Sequence, residues 1–303
     1  MTVRQSFRMF MPTTLLFGAG TAKEVGVQAK HIGAQRPMIV TDAGVLQAGH
    51  LTSVKESLET AGLQVVAIFD QTETEPTIPN LEHCVALARK SSPDVIVGLG
   101  GGSCMDVAKM TATLLVNEGS FRDYIGLDRV PKRGLPTILL PTTSGTGSEV
   151  SRAAAIRDPG DNRKKLVVSP LILSAISIVD PVLTATMPPS VTASSGIDAL
   201  SHAIEGYLCV NAARVTELTS LEAIQLLAAN LGPAYCDGSN MEARTSMALG
   251  SLLAGIAVIA GACAPHAFSF VLGASYPLSH GIAVYVVLPA ILEYTAIACL
   301  DKI

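Results

Sequence analysis

Asp198 and His202 stand four residues apart in Gly196-Ile197-Asp198-Ala199-Leu200-Ser201-His202-Ala203-Ile204-Glu205. On a helix that spacing turns a carboxylate and an imidazole to one face, where both can grip a single cation. His266 and His280, further along the chain, are the candidates to complete the shell. One carboxylate oxygen and three imidazole nitrogens form a donor set of borderline softness. It suits Fe²⁺, Zn²⁺, Co²⁺, Ni²⁺ or Mn²⁺, and softness alone does not choose among them. A lone histidine is more often a surface or hydrogen-bonded core residue than a ligand. The constellation, set behind a glycine-rich loop, reverses that weighting.

That loop is Gly98-Leu99-Gly100-Gly101-Gly102-Ser103, which follows the apolar run Asp94–Gly98 and opens into Cys104-Met105-Asp106-Val107-Ala108-Lys109. Glycines admit an anion close to the backbone, and a helix start offers unpaired N–H groups and a favourable dipole, so the layout suits a phosphate. It is neither a GxGxxG fingerprint nor a Walker A loop, and a tight strand-to-helix turn is the plainer reading. A second polar loop, Pro141–Val150, packs Thr142, Thr143, Ser144, Thr146 and Ser148 around Gly145 and Gly147. Asp42 ends the run Pro37–Thr41. A carboxylate there accepts from an adenosine ribose diol and repels a 2′-phosphate, favouring NAD over NADP, although an Asp-Gly turn explains the spacing as well.

The elements that must position these residues fall into two textures. Up to about Pro181, β-branched runs alternate with helical segments, which predicts a parallel sheet with crossover helices. The expected strands are Pro37–Thr41, Gln64–Phe69, Asp94–Gly98 and Thr137–Pro141, with extended pieces near Ala153–Arg157, Leu166–Ser169 and Ala175–Val179. The expected helices are Leu51–Ala61, Asn80–Lys90 and Cys104–Asn117. After the punctuation of Met187-Pro188-Pro189 the pattern is helical, over Ser190–Cys209, Arg214–Asn230, Met241–Cys263 and Ile282–Ala298. The reading is an α/β domain over 1–185 and a helical domain over 186–303.

Composition narrows the function classes. Charged residues make up 15% of the 303 and the net charge is -4, which gives no basic field for nucleic acid. Six scattered cysteines with no CxxC pair argue against a disulfide framework or a zinc-thiolate site. The first residues carry Arg4 and Arg8 but no apolar run with a cleavage site, so a cytoplasmic location is the expectation. Between Arg244 and Glu293 there is no Asp, Glu, Lys or Arg. This raises a membrane reading, but Pro265, Pro277, His266, His280 and the many Gly and Ala residues favour buried helices around a polar site.

These motifs together resemble the iron-dependent (group III) alcohol dehydrogenases. The likeness runs through Phe17-Gly18-Ala19-Gly20, Gly100–Ser103 with Asp106 and Lys109, Pro141–Val150, Gly196–Glu205, His266-Ala267 and Ser279-His280-Gly281. It implies an α/β dinucleotide-binding domain, an all-α C-terminal domain in the arrangement shared with dehydroquinate synthases, and an active site in the cleft between them. It assigns a divalent cation, usually Fe²⁺ and sometimes Zn²⁺, to Asp198, His202, His266 and His280. It assigns NAD to Asp42, Gly100, Gly101, Gly102, Ser103, Asp106, Thr142, Thr143, Ser148 and Lys164. The implied partners are a small alcohol or aldehyde and further copies of the chain, as a dimer or larger, with no nucleic acid and no membrane.

Three departures from the family pattern stand out. Phe270 replaces a histidine usually found four residues after the third ligand, so the proton must leave through water, a cofactor ribose hydroxyl or another side chain. Glu75-Pro76 replaces a common Asn-Pro near the adenine. The chain stops at Ile303, where relatives continue in helix, and this shortening would leave apolar surface such as Ile282–Leu292 exposed. Glu205, one turn beyond His202, either accepts an N–H from the ligand shell or enters a salt bridge, with the salt bridge favoured. The expected reaction is reversible oxidation of a small alcohol to an aldehyde or ketone. The alternatives are a non-catalytic dinucleotide- or metal-binding relative, and a purely structural role for the histidines and glycine loops.

Overall fold

A computed structural model describes residues 6–7, 9–276 and 278–302. Met1–Gln5, Arg8, Pro277 and Ile303 lie outside the described residues, and with them Arg4, Arg8 and Pro277 of the leader and membrane readings. The chain divides into two compact units. One comprises Met11–Thr142 and Ser148–Thr186; the other takes in Thr143–Gly147 and the chain from Met187 onward.

The first unit holds β1 (Thr14–Phe17), α1 (Val25–His31), β2 (Pro37–Val40), α2 (Ala43–Gln47), α3 (His50–Thr60), β3 (Ala67–Phe69), α4 (Ile78–Ser91), β4 (Val95–Gly100), α5 (Gly102–Val116), β5 (Gly126–Leu127), β6 (Thr137–Pro141), β7 (Ala153–Asp158), β8 (Arg163–Val168) and β9 (Ile176–Val179). Six strands form one parallel sheet in the order β1-β9-β6-β4-β2-β3. β2, β4 and β6 are buried throughout and, Thr137 apart, apolar, as suits strands covered on both faces. Alternate residues feed two cores. Met38, Ile96 and Leu139 pack on α4 and α5, while Ile39, Val97 and Ile138 pack on α1 and α3.

The sequence places β7 and β8 among the alternating strands, but the structure sets them apart. They pair antiparallel in a small second sheet, with β5 parallel to β8. After β2 the chain adds β3 on one side and then returns to place β4 on the other. This is a topological switch point, and ligands bind at the carboxyl ends of such strands.

The second unit is helical: α6 (Pro189–Leu208), α7 (Arg214–Cys236), α8 (Met241–Ala257), α9 (Ala264–Ser275) and α10 (His280–Ala296). Pro189 supplies a first-turn proline to α6, where its missing N–H costs nothing. The core of α6, α7 and α8 is built largely of small side chains, Ala199, Ala203, Ala223, Ala243 and Ala254 among them, with Leu227 and Met247. The single helix expected over Met241–Cys263 ends at Ala257, and Gly261 at φ 134° redirects the chain into α9. Met241–Ala260 is long and apolar enough to cross a membrane by length and composition, yet most of it is buried in the helical unit, as in a core helix.

Candidate metal and dinucleotide sites

α6 carries Asp198, His202 and Glu205 at steps of four and three residues, which align them along one side of the helix. His266 sits in the first turn of α9 and His280 opens α10. The start of α10 lies hard against α6. A Cβ on Gly281 would fall 1.9 Å from the Ser194 carbonyl oxygen, and Ser279 and Ser194 hydroxyls meet at 2.9 Å. Only a glycine after His280 permits this approach.

The ligand atoms of Asp198, His202 and His266 lie within 4.8 Å of one another, and all three residues are buried. His280 Nε2 is 3.6 Å from Asp198 Oδ1, and His266 Nε2 is 3.4 Å from the same oxygen. The four residues named from sequence therefore converge. The His202 and His266 rings stack at 4.3 Å, His280 meets His266 edge-on at 5.3 Å, and Phe270 stacks on His280 at 5.6 Å.

Asp198 Oδ1, His202 Nδ1 and His266 Nε2 are buried without a hydrogen-bond partner. Buried polar atoms are seldom left in this state, and three of them on residues whose ligand atoms cluster within 4.8 Å fit a cation. The electrostatics agree. Burial alone would raise Asp198, but His202, His280 and His266 hold its carboxyl well below the usual range. Burial keeps His202 low against the pull of Asp198. It also presses on His266, where the attraction of Asp198 and Glu205 wins and lifts the imidazole to about 9. The carboxylates thus draw positive charge into a buried spot.

Glu205 meets both expectations in one contact: its Oε1 lies 2.5 Å from His266 Nδ1, an ion pair made with a candidate ligand. The spacing 198, 202, 205 marked it as sharing their helix face, but its partner lies on another helix.

The dinucleotide candidates of the first unit gather at the switch point. Asp42 follows β2 and caps α2, its Oδ1 accepting the Val45 N–H, while Oδ2 takes the Cys104 thiol at 3.1 Å. Gly100 ends β4 at φ 152°, a conformation that favours glycine, and a Cβ there would lie 2.5 Å from Cys104 Sγ. Gly101 caps α5, leaving the N–H groups of Gly102, Ser103 and Cys104 in a helix first turn that has no intrahelical acceptor. Thr142, at the end of β6, donates its N–H to Gly100 O at 3.0 Å. Ser103 donates its hydroxyl to Thr74 O, and Lys164 pairs with Glu75 at 2.8 Å.

Asp106 and Ser148 belong to an internal network. Asp106 accepts from Ser148 Oγ and the Ala155 N–H, and the buried Lys109 reaches Asp106, Ser148 and Ala153. Both Asp106 oxygens are engaged within the protein. The sequence marks Lys109 as part of the glycine-loop motif, and its place in the middle of an apolar helix is the signal that it is paired inside. Thr143 lies with the helical unit.

Residues 12–181 match the family described as iron-containing alcohol dehydrogenase, and residues 192–303 match the Fe-containing alcohol dehydrogenase family, C-terminal. The chain is 37% identical over 299 residues to long-chain-alcohol dehydrogenase 1 of Geobacillus thermodenitrificans, covering 97% of this chain and 75% of that protein. Its fold superposes on the crystal structure of 1,3-propanediol oxidoreductase with a TM-score of 0.94 at 35% identity, covering 97% of this chain and 77% of the other. A sulfoacetaldehyde reductase from Bifidobacterium kashiwanohense, solved in complex with NAD⁺, superposes at 0.90 with 31% identity, covering 96% and 77%. The chain belongs to the iron-containing alcohol dehydrogenase family.

Proposed function

We propose that this chain interconverts a small alcohol and its aldehyde or ketone, exchanging hydride with NAD(H) and using a divalent cation, iron in the family, held by Asp198, His202, His266 and His280. The observation that carries this reading is the convergence of those residues, with Asp198, His202 and His266 buried and a polar atom of each unpartnered. When bound, the cation supplies Lewis-acid polarisation of the substrate oxygen and the nicotinamide supplies the hydride acceptor or donor.

The protein's own groups do the rest. Asp198 brings a fixed negative charge among the imidazoles. Gly100, Gly101, Gly102 and Ser103, with Thr142 and Lys164, form the proposed cradle for NAD, while Asp106 and Ser148 brace it through Lys109, and Thr143 is proposed for NAD from the family resemblance. Asp42, its orientation fixed by Val45 and Cys104, would accept from a ribose diol and repel a 2′-phosphate. Phe270, stacked on His280, carries no proton to exchange, so the hydroxyl proton leaves by water, a cofactor hydroxyl or another side chain. We take the enzyme to work in the cytoplasm as a homodimer or larger homo-oligomer, with no nucleic-acid partner.

The test is NADH formation from a panel of short primary alcohols, with Fe²⁺ or Zn²⁺ added and then chelated. Turnover that requires the metal is expected. Turnover undiminished by chelation would remove the cation from the reaction, and NAD binding without turnover would favour a non-catalytic relative.

A further inference from the structure

Glu205 makes two contacts that converge on the start of α9. Its Oε1 lies 2.5 Å from His266 Nδ1, and its Oε2 accepts the backbone N–H of Cys263 at 2.5 Å. Glu205 and His266 are both buried, so the contact between them is not diluted by solvent. The other nitrogen of His266, Nε2, has no hydrogen-bond partner and lies 3.4 Å from Asp198 Oδ1.

To ligate a cation His266 must be a neutral imidazole, with one N–H and one lone pair, whereas an ionised carboxylate only accepts. The nitrogen facing Glu205 must therefore carry the hydrogen, because the opposite tautomer would set two lone pairs against each other at contact distance. The lone pair then falls on Nε2, on the side shared with Asp198 and His202. We propose that Glu205 is a positioning residue of the cation site: it fixes the His266 tautomer, aims Nε2 at the cation and holds the first turn of α9 in place through Cys263. The proposal rests on reading Asp198, His202, His266 and His280 as the cation site. A carboxylate behind a ligand histidine also raises its basicity, and loss of such a partner commonly weakens metal binding by roughly 10–100-fold.

The experiment measures Co²⁺ affinity by chelator competition, with the visible Co²⁺ absorption as a second reading, for the intact chain and for Glu205→Ala and Glu205→Gln. Each is made alone and in combination with His266→Ala, and the melting temperature of the metal-free proteins is recorded. Glu205→Ala is expected to weaken Co²⁺ binding by roughly 10–100-fold. Glu205→Gln, whose amide oxygen can still accept from Nδ1–H, is expected to lose less and to shift the absorption envelope. In the His266→Ala background neither change should weaken binding further.

If Glu205→Ala fails to fold, the Gln variant carries the same comparison. A lowered metal-free melting temperature with unchanged Co²⁺ affinity would reduce Glu205 to a structural tether and overturn the proposal. So would a loss that persists in full without His266. If His266→Ala alone binds Co²⁺ as the intact chain does, the cation-site reading itself falls, and the proposal with it.

Discussion

Buried ionisable side chains carry much of this molecule's chemistry, and each has been given a partner or a cost. His266 is held through Nδ1 by Glu205, Asp198 is offset by the histidines around it, and Lys109 is held by Asp106, Ser148 and Ala153. Glu149 bears the cost: it is enclosed, and burial raises its carboxyl to about 7 in spite of its own backbone N–H and the attraction of Lys109. The folded state therefore holds a proton that the unfolded chain releases from 4.5 upward, so this group's contribution to stability falls as pH rises from 4.5 to about 7. Glu149→Gln should flatten melting temperature against pH across that window, with its largest gain over the parent above it. Parallel curves for the two proteins would show that Glu149 titrates normally. At this scale the sequence was legible where spacing or resemblance named the residue, as for the four candidate cation ligands, which the fold brings together. It was less legible for Glu205 and Phe270, whose partners His266 and His280 depend on how α9 turns back toward α10.

Elements place those residues through close approaches that small side chains permit. Gly98 allows α5 to settle on β4, since a Cβ there would come within 2.9 Å of both Leu139 and Ala108 side chains. Gly281 does the same for α10 against α6, next to His280. Gly281→Ala should force the start of α10 off the Ser194 carbonyl, costing about 1–3 kcal/mol as overpacking does, and should weaken metal binding because His280 moves with it. Thermal denaturation and metal titration of the variant check this; unchanged metal affinity would show that the approach does not set His280. The sheet was readable because β2, β4 and β6 are short apolar runs ending in Thr41-Asp42, Gly100-Gly101 and Pro141-Thr142. β1 was not expected, since Thr14–Phe17 is four residues at the sheet edge. The α8–α9 break was hidden in an uncharged run, with Gly261 and Pro265 as its only local marks.

At the scale of the whole molecule, the described residues divide into an α/β unit and a helical unit, and Thr143–Gly147 and the described residues before Met11 group with the helices. No periodicity could assign a five-residue loop to a distant unit, because its membership is decided by packing such as Gly145 on Ser195 and Gly147 on Gly255. The helical unit holds the candidate cation ligands, and the α/β unit holds the glycine loop and Asp42, so cation loss and dinucleotide binding are separable observables. The most direct measurement is metal content by mass spectrometry of protein purified without chelator, for the intact chain and for Asp198→Ala and His266→Ala, with NAD binding followed in parallel. Near-stoichiometric metal in the intact chain, its loss in both variants and NAD binding retained in all three are the predicted result. Metal content unchanged in both variants would contradict the assignment of the cation to Asp198, His202, His266 and His280.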